Sequence, residues 1–350
     1  MFYDNITQHN KQRIMVATYS MAHFLVDFAC AFLMFRSIAG TSDGYICVLL
    51  YNFFAFAFQM PLGLIADKYD RNYLFAAAGC ILVGIAYGLS FASIVAVIIL
   101  GIGNAFFHIG GGIDVLNISE KKSVALGIFV SPGAFGIYFG TILGRGSATV
   151  LVVILIALLV VAMMIVFVRF LQGEDYVNNA RLSLESDGTQ KTFLAVGCLF
   201  LIVCLRSYVG MSMAFPWKGI SPWGVILICA VVLGKTLGGF IADRFGAIKA
   251  TFFSLGMAAV LFLFSQIPPF GIFAVLFFNM TMPITLWAIA KIFPGAKGFS
   301  FGMLTFALFL GFLPTYLGVP SIENNFWVFS LAAIISGGFL YLGLRRVNDD

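Results

Sequence analysis

The chain has 350 residues, of which 61% are hydrophobic, 16% aromatic and only 10% charged, with a formal net charge of +5. Soluble domains run about 45–50% apolar, and a mean hydropathy of +1.02 lies far outside that class. A water-soluble fold is excluded, and the modest positive balance does not call for a nucleic-acid partner.

Twelve runs meet the roughly 20 apolar residues that a spanning helix needs. They are approximately 14–36, 44–66, 72–92, 94–118, 122–144, 147–170, 192–214, 222–243, 247–267, 269–292, 297–318 and 324–345. The expected fold is an all-α polytopic membrane protein with twelve transmembrane helices, ten being the rival count. The polar stretch 171–191 divides the chain into 1–170, a linker, and 192–350. Residues 1–13 are polar and offer no cleavable signal. Fifteen Lys and Arg, including Lys68, Arg71, Lys121, Arg181 and Arg244, fall in the termini and even-numbered loops. Only Arg36, Arg145 and Lys218 fall in the odd ones. Cytoplasmic loops carry that excess, so both termini and the linker are expected inside, in a cell membrane. The six cysteines sit in apolar runs without pairing or ligand spacing. No metal and no cofactor is expected.

One peptide occurs twice. Residues 61–72 read PLGLIADKYDRN and residues 237–248 read LGGFIADRFGAI, at the ends of the second and eighth runs. The Gly allows close helix packing in lipid, and the Asp suits a neighbouring helix N-terminus with its free N–H groups. Recurring at matched points, this G-x-x-A-D-[KR] pattern resembles the signature loop of the major facilitator superfamily. The resemblance implies two six-helix bundles rocking around a central site, with Gly63, Asp67, Lys68, Arg71, Gly239, Asp243 and Arg244 forming a conformational latch. It further implies that Asp67 faces the start of the eleventh helix near Gly298, and Asp243 the start of the fifth near Ser123. Ala247 replaces the trailing basic residue in the second copy. Three stretches, AHFLVDFACAF (22–32), GIGNAFFHIGGG (101–112) and RSYVGMSMAFP (206–216), resemble the fosmidomycin-resistance-type exporters of that superfamily.

Ionisable residues within membrane spans are costly and default to functional candidates. His23 and Asp27 share one face of the first helix. At about 1.5 Å per residue, His23 and His108 lie at similar depths, so Asp27, His23 and His108 are the expected proton-coupling residues. Arg206, deep in the seventh run, requires an anion, either Asp27 or a substrate. Asn104, Asn279, Tyr208 and Trp287 are the further candidates for substrate contact. Asp114 lies nearer the inner end, and Lys235 is expected to snorkel. Gly110–Gly112 and Pro283 are expected to interrupt the fourth and tenth helices. Gly133, Gly136, Gly140 and Gly144 form one face of the fifth helix, suited to sliding against the other bundle. The function expected is proton-coupled export of a small organic molecule by a monomer with no enzymatic activity. Uptake of an anionic metabolite is the alternative, and a membrane-embedded enzyme with His108 as general base the more distant one.

Overall fold

The computed structural model describes residues 2–119, 122–147, 149–173, 182–184, 190–319 and 326–348. All regular structure among them is helical. The first half contains α1 (Phe2–Leu33, prolonged by a π turn at Met34–Ile38), α2 (Gly44–Tyr69), α3 (Asn72–Gly88), α4 (Ser93–Ile118), α5 (Val124–Arg145) and α6 (Leu151–Gln172). The second contains α7 (Gln190–Ser212), α8 (Trp223–Phe245), α9 (Ala247–Phe262), α10 (Pro268–Ile292), α11 (Lys297–Tyr316) and α12 (Phe326–Asn348). Ten are long and apolar enough to cross a membrane, while α3 and α9, with 17 and 16 residues, are shorter. Most of the expected linker, together with Lys121 and Arg181, lies outside the described residues.

Two interruptions position side chains. α5 is divided at Ser131, before Pro132, whose missing N–H cannot continue the ladder. The Ser131 hydroxyl bonds back to the Gly127 carbonyl at 2.5 Å. α10 is divided at Met280, between Asn279 and Thr281. The break thus precedes Pro283 by most of a turn, because a proline disturbs the turn N-terminal to itself. The expected interruption at Gly110–Gly112 does not occur. α4 runs unbroken through all three, and Gly110 lets the α3 backbone at Asn72 and Ala76 come close.

The described chain forms two compact units. Unit 1 comprises 1–118, 132–182 and 295–302; unit 2 comprises 119–131, 183–294 and 303–350. In unit 1, α3 packs on α4 through Gly79 and Gly103, and α5 packs on α1. Because lipid is as apolar as these side chains, such close backbone approach, rather than expulsion from water, favours helix association. In unit 2 the core gathers Phe262, Phe278, Phe329 and Trp217. Trp217 stacks on Phe215 with centroids 4.8 Å apart and donates its indole N–H to the Ser265 carbonyl at 2.9 Å.

Candidate functional site

Two helical faces in unit 1 bring four polar side chains together. His23 and Asp27 lie one turn apart on α1, and Asn104 and His108 one turn apart on α4; all four are buried. His23 Nε2 lies 3.2 Å from Asp27 Oδ2 and 2.9 Å from His108 Nε2. His108 Nε2 is 3.7 Å from Asp27 Oδ1, which also accepts from Asn104 Nδ2 at 3.1 Å. The other nitrogen of His108, Nδ1, is 2.9 Å from the Asn104 carbonyl. A carbonyl only accepts, so Nδ1 carries a hydrogen and the neutral ring presents a lone pair at Nε2. Two facing lone pairs would repel, which puts the hydrogen between the rings on His23 Nε2. A further proton makes one ring cationic beside Asp27, and both rings can then donate to the carboxylate.

The glycine face of α5 lies directly against this cluster. A Cβ at Gly133 would collide with His23 Nε2 and Asp27 Oδ2, and Cβ atoms at Gly136, Gly140 and Gly144 would strike the carbonyls of Phe24, Phe28 and Phe32. The stripe expected to slide against the other bundle is thus the seam between α5 and α1 within unit 1. Small residues define a close contact; they do not state its partner.

Each copy of the repeated peptide receives a helix start. In unit 1, buried Asp67 accepts from the backbone N–H of Gly298 at 2.8 Å and of Phe299 at 2.9 Å, at the start of α11. Gly63 faces the same backbone, and a Cβ there would overlap the Gly298 carbonyl. In unit 2, Asp243 accepts from Ser123 N at 2.7 Å, Ser123 Oγ at 2.9 Å and Val124 N at 3.1 Å, at the start of α5, with Gly239 beside it. These are the helix starts that the resemblance assigns to each Asp. Lys68, Arg71 and Arg244 are exposed.

The remaining candidates are in unit 2. Arg206 Nη1 donates to Thr281 Oγ1 at 3.3 Å, just after the break in α10. Asn279 spends its amide on the Val275 carbonyl of its own helix. Tyr208 is half-buried. Trp287 Nε1 is buried with no acceptor among the described residues. Lys235 Nζ lies 3.4 Å from the Val130 carbonyl beside the α5 break.

No family model matches the sequence, and neither does any curated relative. Solved structures do. The human organic anion transporter MFSD10 (TETRAN) superposes with a TM-score of 0.68 at 14% identity, over 94% of this chain and 99% of that one. FucP, a major facilitator superfamily transporter solved in the outward conformation, gives 0.61 at 14% identity, over 95% and 99%. A second structure of FucP, the E. coli fucose:proton symporter, gives 0.62 with the same identity and coverage. The fold is that of major facilitator transporters.

Within this major facilitator fold, two buried polar contacts escaped the sequence reading. Tyr19 donates to Asp114 Oδ2 at 2.6 Å, and Lys297 Nζ to Asn117 Oδ1 at 3.0 Å. Asp114 therefore does not depend on water near the helix end. Tyr19 reaches Asp114, and Lys297 reaches Asn117, from distant parts of the chain.

Proposed function

We propose that the chain is a secondary active transporter that couples proton movement to export of a small organic molecule. The observation that carries this reading is the buried His23–Asp27–His108 cluster in a chain with the major facilitator fold. Intramembrane ionisable groups are costly to keep unless they work, and imidazole is the side chain whose charge changes near neutral pH. In this reading α3 and α9 cross as well, at roughly 25 Å each, by thinning the bilayer or tilting less. Twelve spans then form two six-helix bundles, 1–170 and 192–350, joined by a cytoplasmic linker 171–191, with both termini cytoplasmic and the chain acting as a monomer in the cell membrane. The narrower resemblance to fosmidomycin-resistance-type exporters supports the outward direction.

Arg206, Tyr208, Asn279 and Trp287 are the proposed substrate contacts, with Asn104 serving through its bond to Asp27. The unsatisfied Trp287 N–H supports a hydrogen-bonding ligand. Arg206 supports a second reading, proton-coupled uptake of an anionic metabolite, since a guanidinium grips a carboxylate or phosphate bidentately. The two Gly-x-x-Ala-Asp sites act as latches that hold one conformation, so each Asp biases an equilibrium between states.

The test uses purified protein in liposomes with an imposed pH gradient, and ligands found by thermal stabilisation. Wild type should accumulate substrate against its gradient. Asp27→Asn should abolish that accumulation while keeping much of the equilibrium exchange. Loss of both activities in a folded variant would overturn the coupling role, and chemical conversion of the ligand would overturn transport itself.

A further inference from the structure

The three donor atoms of the buried cluster also have the arrangement of a metal site. We propose that His23, His108 and Asp27 bind one divalent first-row transition ion, with Zn2+ as the representative ion. The two imidazole Nε2 atoms stand 2.9 Å apart, and the Asp27 carboxylate meets them through its two oxygens, Oδ2 at 3.2 Å from His23 and Oδ1 at 3.7 Å from His108. One donor atom from each residue lies within 4.8 Å of the other two. A tetrahedral ion with bonds of about 2.0–2.1 Å separates its ligands by about 3.3 Å. Three donors this close can close around one ion by adjusting side-chain torsions. Only three histidines occur in the chain, His9, His23 and His108, and two of them meet here.

The outer partners fit the same reading. A metal-bound imidazole usually donates its other N–H to a carbonyl or carboxylate, which fixes the ligating nitrogen. His108 does so through Nδ1 to the Asn104 carbonyl, which makes Nε2 the ligating nitrogen. Asn104 also anchors the carboxylate from Nδ2, while its Oδ1 is buried without a donor among the described residues. Gly133 brings no side chain to the triangle. Two neutral imidazoles and one carboxylate leave a divalent ion with one positive charge, which favours hydroxide or another anion as fourth ligand. Imidazole with carboxylate suits zinc, cobalt or nickel better than magnesium or calcium. Ligation requires His23 to carry its hydrogen on Nδ1 instead of Nε2, after which the ion and a proton compete for the same two nitrogens, so Zn2+ should block any proton traffic through the cluster. The site itself stands on geometry and does not require the transport reading.

Full-length protein, stripped with chelator and held in detergent, would be titrated with Zn2+ by calorimetry and with Co2+ by visible absorption. One ion per chain and a tetrahedral cobalt spectrum are expected. His23→Gln, His108→Gln and Asp27→Asn should each abolish this binding. Asn104→Ala, which keeps all three donors, should weaken it about 10- to 100-fold, whereas His9→Ala and Cys30→Ala should leave it unchanged. Absence of stoichiometric binding, or binding that survives loss of both His23 and His108, would overturn the proposal. If the donor variants do not fold, zinc-edge X-ray absorption on wild type decides: two imidazole nitrogens support the site, and a shell with sulfur or without imidazole refutes it. Proton-driven transport in metal-free buffer is a separate assay, so either reading can fail alone.

Discussion

Asp67 and Asp243 hold the same place in a repeated peptide, yet the two sites differ in how they hold a helix start. Asp67 is 3% exposed and satisfied by two main-chain N–H groups, with Gly63 pressed against the Gly298 backbone. Asp243 makes three bonds, one of them to a hydroxyl, but it is solvent-exposed. The lesson is that the number of bonds does not rank the two sites. Water can replace what Asp243 offers. At Asp67 no such substitute is at hand, and burial makes every lost partner expensive.

The comparison breaks or sharpens first at the glycines. Gly63→Ala forces a Cβ into a main-chain carbonyl that cannot rotate away, and should cost roughly 3 kcal/mol or more. Gly239→Ala meets Ser123 and Val124 less deeply and should cost less. Thermal unfolding of the purified variants in detergent would rank them, and equal losses would deny the asymmetry. Next come the carboxylates. Asp67→Asn should lose about 2–3 kcal/mol of a charge-assisted contact, and Asp243→Asn about 1 kcal/mol, since exposed charges contribute little. Labelling of a cysteine introduced at Gly295 should accelerate in membranes for Asp67→Asn and stay near its wild-type rate for Asp243→Asn. The smallest effect belongs to Ser123→Ala, which removes one hydroxyl donor while both backbone donors remain. About 0.5–1 kcal/mol is expected, and a larger fall in melting temperature would mean that the hydroxyl, not the main chain, holds Asp243.

Both sites were legible in the sequence because a repeated peptide carries its own register, and the resemblance supplied the partners. The His23–Asp27 pair was equally readable, since residues four apart share a helix face. His108 could be added from depth alone. What depth does not give is rotation about the helix axis, so the convergence of three donor atoms, and with it a metal site, was invisible to a search for local ligand spacing. The same gap explains the glycine stripe of α5. Its spacing declares a narrow face, while the partner, α1, follows only from the packed structure. At Pro283 the expected interruption is present, in the turn before the ring and beside Asn279. The Tyr19–Asp114 and Asn117–Lys297 contacts had no local signal, as each joins residues from far apart in the chain.

The seam between α1 and α5 has a consequence for how this chain can vary. The carbonyls of Phe24, Phe28 and Phe32 face Gly136, Gly140 and Gly144 in step, main chain against main chain. Such a joint freezes no rotamers when it forms, and it offers no side chain that a compensating mutation could trim. A residue larger than glycine cannot be accommodated by repacking around it. It must move a whole helix, and Asp27 with it. Under random mutagenesis and selection for activity, these three positions should therefore tolerate few substitutions, while open ones such as Gly197 and Gly256, with nothing nearby to strike, drift freely.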